Sequence, residues 1–213
     1  LAHIERLLNN NPSIKSAEVY YQLDGTLEIS VEEREPIVRI FNNNGTSYYL
    51  DNAGNLMPLS QKYTARVLVA SGDIHIPYSS VYQLAELHKQ KRIRKPFEKP
   101  SAIMNTSLAE ELNLQDSLPG FTQLKDIYSL AEFITGDAFW SAQINQLHVD
   151  STGQYTLIPR VGNHEIYLGD AENIEEKFEK LMVFYRQGLQ KTGWNEYETI
   201  DLRFKNQVVC KKK

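Results

Sequence analysis

Two runs near the start of the chain alternate apolar and polar residues: Ala17, Val19, Tyr21 and Leu23, then, beyond Asp24-Gly25, Leu27, Ile29 and Val31. A period of two places apolar side chains on one face of a strand, and an Asp-Gly pair between two such runs predicts a hairpin closed by a two-residue type I′ turn. Ahead of the hairpin, Ile4, Leu7 and Leu8 recur at helical spacing until Asn9-Asn10-Asn11-Pro12 stops propagation. After it, Glu33-Arg34-Glu35-Pro36 replaces alternation with charge and with a residue that lacks a ladder donor. A boundary is expected there, between a small unit over residues 1–36 and a larger one over 37–213.

The larger unit opens as sheet. Ile37 to Phe41, Tyr48-Tyr49-Leu50 and Val67 to Ala70 read as strands, with turns at Asn42-Asn43-Asn44-Gly45 and Asp51-Asn52-Ala53-Gly54. Val81, Leu84, Ala85, Leu87 and His88 suggest a helix that dissolves into the basic run Lys89 to Lys95. Leu124, Ile127, Tyr128, Ala131 and Ile134 define a second helix, ended by Gly136-Asp137. Ile144 to Val149, Tyr155 to Val161 and His164 to Leu168 predict a meander. Asn173 with Glu176 reads as a capping box for a helix whose apolar face is Ile174, Phe178, Leu181, Met182, Tyr185 and Leu189. Finally, Ile200 to Cys210 alternates as one half-buried terminal strand, followed by Lys211-Lys212-Lys213. At a sheet edge such a strand is either blunted by its lysines or pairs with a strand of another chain.

These elements predict an α+β chain: a helix plus β-hairpin, then a larger, mainly antiparallel β-sheet domain with flanking helices and a C-terminal edge strand. With 213 residues, 41% of them hydrophobic, and a formal net charge of -4, the chain can bury a substantial core and lacks the broadly basic character that nucleic-acid binding needs. One cysteine, Cys210, excludes an internal disulfide or a thiolate cage. No apolar run approaches the roughly 20 residues of a membrane span. The helical pattern begins abruptly at Leu1, as in a piece cut from a longer chain.

Candidate chemistry changes this picture little. There is no Gly-x-Ser-x-Gly, no phosphate loop and no dinucleotide fingerprint, and His3, His75, His88, His148 and His164 are scattered without ligand spacing. Adjacent glutamates (Glu32-Glu33, Glu110-Glu111, Glu175-Glu176) diverge on either a strand or a helix and make poor acid/base pairs. No catalytic, metal-binding or cofactor-binding residue is expected. The Lys89 to Lys95 run suits either a solvated helix end or contact with anionic head groups or an acidic partner.

In order and spacing the pieces resemble the extracytoplasmic part of the bacterial cell-division family FtsQ, called DivIB in some lineages. Ile4 to Leu8, the Asp24-Gly25 hairpin and Val31-x-Glu33-Arg34-x-Pro36 look like the second half of a POTRA domain and its exit. Tyr49-Leu50-Asp51-x-x-Gly54 is similar to the opening of the family's β domain, and Leu118-Pro119-Gly120 to one of its loops. The most specific likeness is the end: Leu168-Gly169, a long helix, then Ile200-Asp201-Leu202-Arg203-Phe204-x-Asn206. The resemblance implies a non-enzymatic divisome scaffold without cofactor, anchored upstream as a single-pass inner-membrane protein with this region in the periplasm. It implies recruitment of FtsB- and FtsL-type partners by strand addition at Phe204, Lys205, Asn206, Gln207, Val208 and Val209, with Tyr155 and Leu157 on the neighbouring strand face, and further divisome contacts through the POTRA. Two other readings stay open: a POTRA-containing secretion or outer-membrane assembly protein, and a hydrolase with an unfamiliar site.

Overall fold

In the computed structural model, which describes residues 1–78, 120–189 and 192–213, Asn9 clamps the first helix to the first strand. Its amide oxygen accepts the Ala17 N–H at 2.8 Å and its amide nitrogen donates to the Ala17 carbonyl at 3.3 Å. Helix α1 (Ala2–Asn9) therefore lies on the hairpin of β1 (Ile14–Tyr21) and β2 (Leu27–Glu33), a two-stranded sheet of its own. Ala17 and Val19 are buried beneath the helix, whereas Tyr21, Leu27, Ile29 and Val31 stay 40% to 63% exposed. The alternation is right, but only part of its apolar face is covered among the described residues.

The hairpin turn differs from a type I′ loop, which needs positive φ at both Asp24 and Gly25. Only Gly25 has it, at 87°. Gln22 and Thr26 form the closing pair (Gln22 N–H to Thr26 O, 2.8 Å) and Gly25 N–H donates back to Gln22 O at 3.0 Å. This is a three-residue loop whose glycine makes the bulge. The same loop recurs three times: between Asn42 and Thr46, Asp51 and Asn55, and Asp150 and Gln154, with Gly45, Gly54 and Gly153 at the bulge.

From Pro36 the chain enters a nine-stranded sheet. Its strands are β3 (Pro36–Phe41), β4 (Ser47–Asp51), β5 (Leu56–Met57), β6 (Leu68–Gly72), β7 (Ile144–Val149), β8 (Tyr155–Pro159), β9 (Glu165–Gly169), β10 (Tyr197–Asp201) and β11 (Val209–Lys212). In space they run β11-β10-β9-β8-β7-β6-β3-β4-β5. Most ladders are antiparallel, as expected; β3–β6, β6–β7 and β9–β10 are parallel. Parallel neighbours need crossovers. Helices α2 (Phe121–Gly136) and α3 (Ala138–Gln143) precede β7, and α4 (Ile174–Phe184), continued by a π-turn at Tyr185–Leu189, connects β9 to β10.

The helices cover one face of the sheet. Val38, Ile40, Leu50, Ala70, Leu147, Leu157, Ile166 and Ile200, matched across the ladders, are fully buried there. The predicted faces of α2 and α4 meet them, and Phe178 joins the helices through Phe133 (4.7 Å between centroids) and Trp140 (4.9 Å, edge-on). At the start of α4 the capping box is absent. Asn173 is left-handed (φ 50°) and its side chain caps nothing; Glu175 and Glu176 still face the helix's positive end from its first turn. The expected helix at Val81 to His88, the basic run from Lys89 to Lys95 and the Leu118-Pro119 part of the predicted loop lie outside the described residues.

Candidate partner-docking edge

The terminal strand is a hairpin. After Asp201 the chain leaves β10, turns through residues 202–208 with Asn206 left-handed (φ 58°), and returns as β11. Alternation alone continued straight through this turn, because Phe204-Lys205-Asn206-Gln207 carries the same period as a strand. Three contacts hold the reversal. Leu202 N–H donates to Tyr167 O at 2.9 Å. The Lys180 ammonium, on α4, donates to the carbonyls of Leu202 (3.2 Å) and Phe204 (2.9 Å). Arg203 forks onto Asp201, its Nη2 at 2.5 Å from Oδ2 and its Nε at 2.9 Å from Oδ1, with the guanidinium 5.7 Å over the Tyr167 ring. Burial pushes the Asp201 carboxyl up, but the bonds from Arg203 outweigh it and hold the group below the usual carboxylate range.

Among the described residues strand β11 has one neighbour, β10, and its other side is a free edge. Lys213 N–H donates to Glu196 O at 3.1 Å, across the ladder. By the strand's alternation the N–H groups of Lys211 and Val209 also face β10, which leaves those of Cys210 and Lys212 pointing outward. Side chains divide as strictly. Cys210 pairs with Ile200 and packs on the core, where burial raises its thiol pKa. Lys211 lies on the other face and pairs with Glu198 at 2.6 Å. At the far end of the sheet β5 has only two residues, both buried, and offers little to a second strand.

Beside the start of β11 runs a groove of about 730 Å³ between the outer face of α4 and the hairpin loop. Val183, Phe184 and Val208 give it an apolar lining, Glu176 and Glu179 an acidic rim, and Gln187 and Gly188 of the π-turn its end. Val183 is 54% exposed, and Phe204 and Val209 nearby are 44% and 43% exposed. Apolar surface concentrated next to an unpaired backbone is what strand addition uses: main-chain bonds supply affinity and pockets supply selectivity.

The expected site residues are thus distributed unevenly. Phe204, Lys205, Asn206 and Gln207 sit in the hairpin loop, Val208 lines the groove, and Val209 opens the edge strand. Tyr155 and Leu157 are not on a neighbouring face; β8 stands two strands from β10 and both side chains are buried. Tyr155 instead donates its hydroxyl to Asp126 of α2 at 3.1 Å, burial raising the pKa of both groups. Sequence reasoning ended the terminal strand at Cys210, short of Lys211 and Lys212, and missed Val183 and Phe184 as groove. Asn206, a residue that tolerates the left-handed region, was the one signal of the turn. Among the described residues no three His, Cys, Asp or Glu side chains are grouped to hold a metal ion, and no helix is long and apolar enough to cross a membrane.

Comparison with known proteins places this architecture. A family model described as FtsQ/DivIB, C-terminal related matches residues 35–211, from the entry into β3 to the edge strand. The chain is 28% identical over 206 residues to a cell division protein FtsQ of Salinibacter ruber, covering 94% of this chain and 65% of that protein. It is 24% identical over 213 residues to a cell division protein FtsQ of Geotalea daltonii, covering 100% of this chain and 63% of that one. The chain therefore spans less than two thirds of the length of these relatives. It belongs to the FtsQ/DivIB, C-terminal related family.

Proposed function

We propose that this member of the FtsQ/DivIB C-terminal related family is the docking part of a non-enzymatic cell-division scaffold, and that β11 recruits FtsB- and FtsL-type partners by accepting an added strand. The observation that carries the reading is the free edge of β11 with its apolar groove alongside. In this reading residues 1–36 are the second half of a POTRA domain, whose exposed Leu27, Ile29 and Val31 await the rest of that domain, and residues 37–213 are the β domain. The parent protein is held in the inner membrane by a segment upstream, with this region in the periplasm. Family resemblance supports the cell-division role and the partner type; the edge geometry supports the mode of binding.

The test is proline at Lys212. Its N–H faces away from β10, so Lys212→Pro spares the hairpin and removes one outward donor. Losing one main-chain bond to a partner strand should weaken binding of an FtsB-type segment roughly tenfold. Lys212→Ala, which keeps the donor, should change affinity much less. Calorimetry on both variants, with folding checked by circular dichroism, decides it. Equal affinity for wild type and a folded Lys212→Pro variant would move the partner surface away from β11.

A further inference from the structure

A second cavity, of about 410 Å³, opens at the other end of the sheet, where β3, β6, β7 and β8 meet the last turn of α2. Its floor is apolar, with Leu68 and Ile134 buried beneath it. Its rim carries Arg66, just before β6, and Arg160, just after β8, together with Ser141 and Asn145. Among the described residues no carboxylate lines it. Among the described residues none of these four side chains has a hydrogen-bond or ion-pair partner.

That contrasts with the other arginines of the sheet. Arg39 donates to Ser47 Oγ and stacks over Phe41 at 4.5 Å, and Arg203 is forked onto Asp201. In a chain with 27 acidic residues against 23 basic ones, a guanidinium readily finds a carboxylate. Two that share a pocket without one are planar, always-charged donors left without a carboxylate partner among the described residues. The remaining rim groups are a hydroxyl and an amide, both able to donate; the floor suits an aliphatic group. Glycine-rich backbone of the kind that wraps a phosphate does not line it.

We propose that this cavity is a second protein-docking site, which takes a carboxylate carried next to an aliphatic side chain on an acidic peptide segment of a partner. The site is separate from β11 and does not rest on the reading of that edge. The guanidinia of Arg66 and Arg160 bind the carboxylate, Ser141 and Asn145 complete its hydrogen bonds, and the aliphatic group sits over Leu68 and Ile134.

N-acetyl-leucine, which joins a carboxylate to an aliphatic side chain, is a minimal probe. Titrated into the isotope-labelled protein, it should give saturable amide shifts confined to the cavity walls, with a Kd of about 1 mM for so small a ligand. N-acetyl-leucinamide, which lacks the charge, should not saturate, and inorganic phosphate should bind at least tenfold more weakly. Arg66→Gln and Arg160→Gln, both exposed substitutions, should each weaken N-acetyl-leucine roughly tenfold while leaving the rest of the spectrum unchanged. Absence of saturable shifts at these walls, equal binding of the amide, equal binding of phosphate, or full affinity in the double variant would each overturn the proposal.

Discussion

Replacing Lys180 with methionine isolates the tie that holds the terminal hairpin against α4. Methionine keeps an unbranched apolar stem and removes only the ammonium. In the wild type that ammonium, on a side chain 17% exposed, serves the carbonyls of Leu202 and Phe204. Hydrogen bonds to a charged group contribute about 1.5–3 kcal/mol each when shielded, and less where solvent competes. The Phe204 end is open to water and the Leu202 bond is long, so the lower end of that range applies to each. Leu202 itself is fully buried, however, and its carbonyl would lose a partner. A total of about 1.5–3 kcal/mol follows. At roughly 2–3 kcal/mol per molar urea for a chain of this size, the unfolding midpoint should fall by about 0.5–1.5 M. Hydrogen exchange should quicken first across residues 202–208. Glu179→Ala, on the same helix but exposed, should move neither readout. An unchanged midpoint and unchanged exchange in Lys180→Met would show that the reversal of the chain is set by the turn residues alone.

Leu181→Ala empties a fully buried position of α4 and should cost about 2–5 kcal/mol by lost transfer energy and cavity formation, read as a loss of thermal midpoint of roughly 5–15 °C. His164 is buried beside Tyr185, with its Nε2 3.2 Å from the Tyr185 hydroxyl, and burial holds its pKa below the ordinary histidine value. A lowered folded-state pKa favours the neutral ring, so stability should be full above about pH 6.5 and fall as the pH drops below it, by at most about 1.4 kcal/mol per pH unit. His164→Gln should flatten the denaturation midpoint over that interval; the same slope in the variant would assign the acid sensitivity to other groups.

Local signals carried the local structure. The apolar stripes of α2 and α4 were legible because each covers a continuous sheet, and the meander of β7 to β9 because hairpin turns announce themselves in glycine and aspartate. Parallel pairing was not legible: nothing within Val67 to Ala70 says that β6 will lie between β3 and a strand that begins at Ile144, since that choice is made by packing across the sheet. The loop at Asp24-Gly25 was misread as a two-residue one because Asp-Gly suits both; the sign of φ at the residue before glycine separates them, and composition does not reveal it. At the candidate edge, the period of two ran Ile200 to Cys210 together as one strand and hid the reversal that makes Val209 the start of β11, while Tyr155 and Leu157, drawn to the site by likeness of position, are buried in the core. Lys180 illustrates the remaining gap, for a lysine reads as surface charge until the carbonyls it reaches are known.

The spatial order of the nine strands also divides cleanly by sequence. Residues 36–72 supply one side of the sheet and residues 144–212 the other, and a single parallel ladder, β6 against β7, sews them together. Each half is self-contained in its pairing, so folding faces one long-range closure within the sheet instead of many. A chain cut between the halves leaves two fragments, each holding all its own ladders but one, that can be asked to find each other in solution.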